Sequence, residues 1–170
     1  RKNFFIKFNS KKIRLDIENN TNYEDILKKG KVDLLFVNKN ESFSYEINEN
    51  SLKFSSIGKK KFNGYFDFKP FYLKAAFNYE GISAKDILKN DSILVELFKS
   101  EILNNQNLNV NIDLNVNDIT NIDHLNDLKL KLNLDQGDIT FSKSKIMWKD
   151  DLEINLKEGL LSYDQNEIFL

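Results

Sequence analysis

Apolar and polar residues alternate along nearly the whole chain. The clearest case is "NLNVNIDLNVNDI" at residues 107–119, where Leu108, Val110, Ile112, Leu114 and Val116 are each separated by Asn or Asp. A period of two is the mark of a strand that buries one face. The same rhythm carries Phe4, Ile6 and Phe8, then Ile13, Leu15 and Ile17, then Val32, Leu34 and Phe36. Phe43, Tyr45 and Ile47 follow, with Leu52 and Phe54, and then the aromatic-rich "FNGYFDF" and "FYLKAAFNY". After the Asn-rich ribbon come Leu128, Leu130, Leu132 and Leu134, Ile139 and Phe141 in "DITF", and "KIMW", "DLEINL", "GLLSY" and "NEIFL". Turn formers such as Gln136-Gly137 and Asp164-Gln165-Asn166 separate these runs, and short connections predict antiparallel neighbours in a meander.

One segment departs from this rhythm. "SAKDILKNDSILVELFKSEILNN" sets Ile87, Ile93, Leu94, Leu97, Phe98 and Ile102 near helical spacing, behind an S-x-x-D start at Ser83 and Asp86. It predicts a helical insertion near 83–104, continuous or broken at Asn90-Asp91. "NYEDILKK", from Asn22 to Lys29, predicts a further short turn of helix. The fold class expected is therefore mainly β: a long antiparallel meander, curled into a groove or half-barrel, with one helical insertion. No linker or shift in composition divides the chain, and residues 1–170 read as a single β-rich domain.

An area argument sharpens this picture. A helix is about 10 Å across and strands lie about 4.8 Å apart, so one helix covers roughly two or three strands. The alternation marks about eleven strands, counted on the pattern of period two. The remaining apolar face must curl onto itself, pack on another part of a longer chain, or hold an apolar ligand. Alternation is the same in all three cases.

Composition narrows the chemistry. The 25 basic and 26 acidic residues balance, so no global field favours nucleic acid or an anionic membrane. Cysteine is absent, which excludes disulfides, thiol catalysis and thiolate metal sites. No run approaches the roughly 18 apolar residues of a membrane-spanning helix. Lysine outnumbers arginine 23 to 2 and 24 residues are Asn, a bias that fits an AT-rich genome better than a chemical demand. The chain opens at Arg1 without Met or a secretory pattern and reads as a mature chain or a fragment.

Candidate sites of chemistry are few. His124 lies between Asp123 and Asp127 with no nucleophile nearby in sequence, in a predicted turn, and reads as a surface histidine. Asp113, Asp118, Asp123 and Asp127 lack the spacing of a helix-loop-helix or glycine-rich calcium site. In "GKKKFNGYFDFKPFYLK", lysines interleave with aromatics as in single-stranded nucleic-acid binders. Phe62, Phe66 and Phe68, however, share one strand face, so packing or a membrane-interface contact accounts for them. Pro70 marks a corner between strands, Trp148 reads as a core aromatic, and three N-x-S/T matches are expected by chance in so Asn-rich a chain. Neither catalysis, a cofactor, a metal nor a nucleic-acid partner is expected.

The run "LNDLKLKLNLDQGDITFSKSKIMWKDDLEINLKEGLLSYDQNEIFL" resembles the closing strands of AsmA-like proteins. The likeness is a leucine-alternating strand, a Gly turn, an I-x-F strand, a Trp-containing strand and then L-x-I-x-L-x-x-G-x-L. The preceding "FKPFYLKAAFNYEGISAKDILKNDSILVELFKSEILNNQNLNVNIDLNVNDITN" fits the same pattern, so the resemblance spans about residues 62–170. It implies a piece of a large Gram-negative envelope protein, similar to bridge-type lipid carriers, periplasmic and held to the inner membrane by an N-terminal helix. The function it implies is passage of phospholipid acyl chains in outer-membrane homeostasis, with membrane contact through the rest of the parent chain. Leu108, Val110, Ile112, Leu114, Val116, Leu128, Leu130, Leu132, Leu134, Ile139 and Phe141 are then the lipid-facing or core residues. The rival expectation is a structural or adhesive β-domain with a self-packed core.

Overall fold

The computed structural model describes residues 5–9, 13–22, 24–36, 39–58, 61–85, 105–149, 151–164 and 167–169. The fold is mainly β, and the chain divides into two compact units, Arg1–Lys69 and Pro70–Leu170. Pro70 itself falls between strands, as the sequence predicts.

In the first unit, β1 (Phe5–Asn9), β2 (Ile13–Asn19), β3 (Lys28–Phe36), β4 (Lys39–Ile47), β5 (Ser51–Ser56) and β6 (Phe62–Phe68) lie in chain order. Each is antiparallel to the next. The register sets Ile17 against Val32 and Val32 against Phe43, then Tyr45 against Phe54. Phe43, Phe54 and Phe62 meet edge-on or tilted at 5.9–6.5 Å between ring centres. These aromatics build the apolar face, while lysines, serines and carboxylates take the other. Asn48 closes the β4–β5 turn, its Oδ1 accepting from the Asn50 and Ser51 amides at 2.8 Å, the side-chain-to-backbone bond that makes Asn a turn former.

The helical turn expected at Asn22 to Lys29 does not form. The described residues there make a turn and bends that lead into β3. Asp25 Oδ2 accepts from the Asn22 amide at 3.1 Å, and Thr21 Oγ1 donates to the Lys29 carbonyl at 3.1 Å. Lys28 and Lys29 join the ladder opposite Ile47 and Glu46 instead. Strand pairing satisfies their backbone better than one isolated helical turn, which is costly to nucleate.

Three carboxylates on the polar faces are held below their ordinary pKa. Asp33 accepts from Ser42 and Lys31, Glu46 from Lys29, and Glu153 from Lys145 and Asn155. A carboxylate whose folded pKa is depressed contributes stability above its ordinary value and loses it as pH falls through the folded value. Urea midpoints should hold from neutrality to about pH 5 and fall below about pH 4, the ordinary carboxylate range. Asp33→Asn should remove part of that acid slope; an unchanged slope would show the Ser42 and Lys31 contacts to be immaterial.

The second unit contains β7 (Phe71–Ser83), β8 (Asn109–Thr120), β9 (Leu125–Asp135), β10 (Asp138–Trp148), β11 (Leu152–Asp164) and β12 (Glu167–Phe169), again in chain order. The pairs from β8 to β12 are antiparallel. The exception is β7 with β8, which run parallel from Tyr72 beside Asn109 to Ser83 beside Thr120. Parallel neighbours require a crossover of about a dozen residues or more, and the chain between Ser83 and Asn109 supplies it. The helical insertion predicted near 83–104 lies almost wholly outside the described residues; Ala84 and Lys85 are helical. Among the described residues the strand order is linear in each unit, with no pairing from last strand to first, so neither sheet closes into a barrel.

Two pairs of runs that the sequence separates are single strands. "DITF" and "KIMW" join as β10, and "DLEINL" and "GLLSY" join as β11. Lys143, at φ 50°, sits where β10 shifts register against β9. It forms a bulge that interrupts the alternation without ending the strand.

Candidate functional site

Ten of the eleven apolar positions expected from the sequence, all but Leu108, are brought together on one face of the second unit. Along β8 and β9 they meet directly: Val110 opposite Leu134, Ile112 opposite Leu132, Leu114 opposite Leu130 and Val116 opposite Leu128. On one side β10 extends the first two rows with Ile139 beside Leu134 and Phe141 beside Leu132. On the other, β7 adds Leu73, Ala75, Phe77 and Tyr79 beside Val110, Ile112, Leu114 and Val116. Phe77 and Tyr79 stack at 6.3 Å. Residues directly opposite share a face, so the register alone makes this a continuous apolar surface. Leu108 precedes β8 and is half-buried.

Coverage of the surface is uneven. Val116, Leu134 and Ile139 are each 1% exposed. Leu108, Val110, Ile112, Leu114, Leu128, Leu130, Leu132 and Phe141 are all half-buried. The buried part centres on Ala84, Val116 and Ile119, with Tyr79, Ile82, Leu114, Leu125, Leu128 and Ile146 packed against them.

Tyr79, Ile82, Ile119, Leu125 and Ile146 also belong to this site and fall outside the eleven alternating positions. Between Val116 and Ile119, and between Leu125 and Leu128, the apolar residues step by three. The signal is in the sequence: "VNDI" and "LNDL" each set Asn-Asp between two apolar residues, and "YEGI" in β7 sets Glu-Gly at the same step of three. Asp127, at φ 47°, carries the irregularity in β9, and three neighbouring strands change face together.

On the opposite face β8 presents its Asn and Asp side chains. Asn115 donates to Asn78 at 2.9 Å, Asn111 donates to the Tyr72 hydroxyl at 3.1 Å, and Lys131 stands 3.9 Å from Asp113. Such amide pairs keep a strand's polar face satisfied without repulsion between neighbours. These side chains are as half-buried as their apolar neighbours from Asn109 to Asn115. A shallow depression of about 250 Å³, lined by Tyr72, Lys74, Asn111, Asp113, Lys131, Asn133 and Ser142 with Ile112 and Leu132, lies among them. Its side-chain lining is mostly polar, which suits water and not an alkyl chain.

His124 is exposed in the turn before β9, at φ 72°, its ring 6.1 Å from that of Trp148. Trp148 is 38% exposed and sits at the rim of the apolar face rather than in its core. Among the described residues no group of three or more His, Asp or Glu is placed to hold a metal. Among the same residues no helix is long and apolar enough to cross a membrane.

The chain matches no family model, no curated protein and no solved structure.

Proposed function

We propose that the apolar face of the second unit binds phospholipid acyl chains, as a β-groove segment of a periplasmic lipid carrier serving outer-membrane homeostasis. The observation that carries this reading is that eight of the eleven apolar positions are only half-buried, seven of them on the three adjacent paired strands β8, β9 and β10. A self-packed core would bury these residues as it buries Leu134. Each methylene of an acyl chain taken from water by such a surface contributes about 0.8 kcal/mol, so a chain laid along these rows gains enough to stay bound. A polar rear face and a smooth apolar front suit binding without catalysis. The buried cluster at Ala84, Val116 and Ile119 favours the second reading at that end of the sheet, a structural or adhesive β-domain without ligand.

Native mass spectrometry of the gently purified chain, followed by extraction and lipid analysis, tests the proposal. The expected result is co-purified phospholipid that survives exchange into lipid-free buffer. Ile112→Asp should lose that lipid while its circular dichroism stays native, because the half-buried carboxylate remains solvated. A lipid-free mass with a cooperative melt, or an Ile112→Asp chain that does not fold, would favour the self-packed domain.

A further inference from the structure

We propose that the outer edge of β11 pairs with the same edge of a second copy, antiparallel and centred on Ile154. On its inner edge β11 follows β10 from Leu152 to Leu161. On its outer edge β12 pairs only with Ser162, Tyr163 and Asp164. Among the described residues, the outer edge from Leu152 to Leu161 has no strand beside it. An edge of this length is a template for another strand unless charge, proline or a bulge blocks it. From Leu152 to Leu156 no proline intervenes, and the apolar face carries Leu152, Ile154 and Leu156 at 58%, 47% and 44% exposure. Trp148, directly opposite Leu152, extends that exposed patch.

A second copy is the occupant because the segment is complementary to itself. With a two-fold axis through Ile154, Leu152 lies opposite Leu156 of the partner copy and Ile154 opposite its own counterpart. Asp151 then lies opposite Lys157 of the partner copy, and Glu153 opposite its Asn155. Every apolar residue meets an apolar one, and each of the two Asp–Lys pairs joins opposite charges. Moving the axis to Asn155 keeps Ile154 against Leu156 and Glu153 against Lys157 but sets Leu152 against Glu158, so one apolar residue loses its apolar partner. Asp151 and Lys157 are exposed and, among the described residues, take part in no ion pair. Glu153 is already satisfied within its own copy by Lys145 and Asn155. In this arrangement both apolar faces lie on the same side of the joined sheets.

Sedimentation of the delipidated full chain over a range of concentrations tests the pairing apart from lipid binding, which it does not require. The expected result is a monomer–dimer equilibrium weakened about tenfold or more by Ile154→Lys, with circular dichroism unchanged because Ile154 is exposed. Asp151→Lys and Lys157→Asp should each weaken association, and the double variant Asp151→Lys/Lys157→Asp should restore it, since the swapped charges again oppose. A chain monomeric at every concentration would overturn the proposal. So would a dimer indifferent to Ile154→Lys, or one in which the double variant is no better than the single ones.

Discussion

Leu134→Asp is expected to unfold the second unit. Leu134 is 1% exposed, between Val110 on β8 and Ile139 on β10. Removing its side chain from the apolar face costs about 2–3 kcal/mol. A carboxylate left there without a partner adds about 1–3 kcal/mol or more. Together, a loss of about 5 kcal/mol matches the whole stability of many small domains. Trp148 is the single tryptophan and sits at the end of β10, so its fluorescence reports the loss. The contrast with Ile112→Asp is the informative part, because Ile112 lies one row away on the same face and is only half-buried. Equal damage from both would mean the face is a sealed core throughout.

Gly30→Ala should cost the first unit about 3 kcal/mol, the upper end of what overpacking usually takes. Gly30 pairs directly with Tyr45, which is 8% exposed. A methyl at Gly30 would meet the Tyr45 hydroxyl at 2.6 Å and collide with the backbone carbonyl of Glu18. The tyrosine ring lies across a strand position that must stay bare, so glycine is required here for the space it leaves. Burial also pushes the Tyr45 phenol above its ordinary pKa. Urea unfolding of Gly30→Ala measures the cost, and adding Tyr45→Ala distinguishes its sources. The double variant should not recover, because the Glu18 carbonyl remains in the way. Recovery would place the whole strain on the ring.

Much of this architecture is legible in the sequence, and the limits have physical causes. The alternation in residues 107–116 and 128–134 marks β8 and β9, and the two strands pair so that their apolar residues meet in four rows. "DITF" and "KIMW" look like two strands because the bulge at Lys143 inserts a residue, and a pattern of period two cannot distinguish an inserted residue from a turn. Ile119 and Leu125 fall out of the apolar set for the same reason, although Asn-Asp at both steps is a visible clue. The parallel pairing of β7 and β8 is implied by the long segment between them but contradicted by the habit of a meander, and only the register decides it. How much of the apolar face stays open is not legible at all. Alternation records which side is apolar, whereas exposure depends on what lies above it.

The parallel pair sets an order of events during synthesis. Asp135 and Asp138 meet across a two-residue turn, but Asn78 and Asn115 are 37 positions apart in the chain. The entropy of loop closure grows with the logarithm of length, and the longer loop costs roughly 2 kcal/mol more than a tight turn. A ribosome adding about 5–20 residues per second takes several seconds to produce the partner that β7 needs. Through that interval Leu73, Ala75 and Phe77 line a strand whose β8 side has no partner yet. A chaperone that recognises nascent apolar segments would find β7 waiting for it.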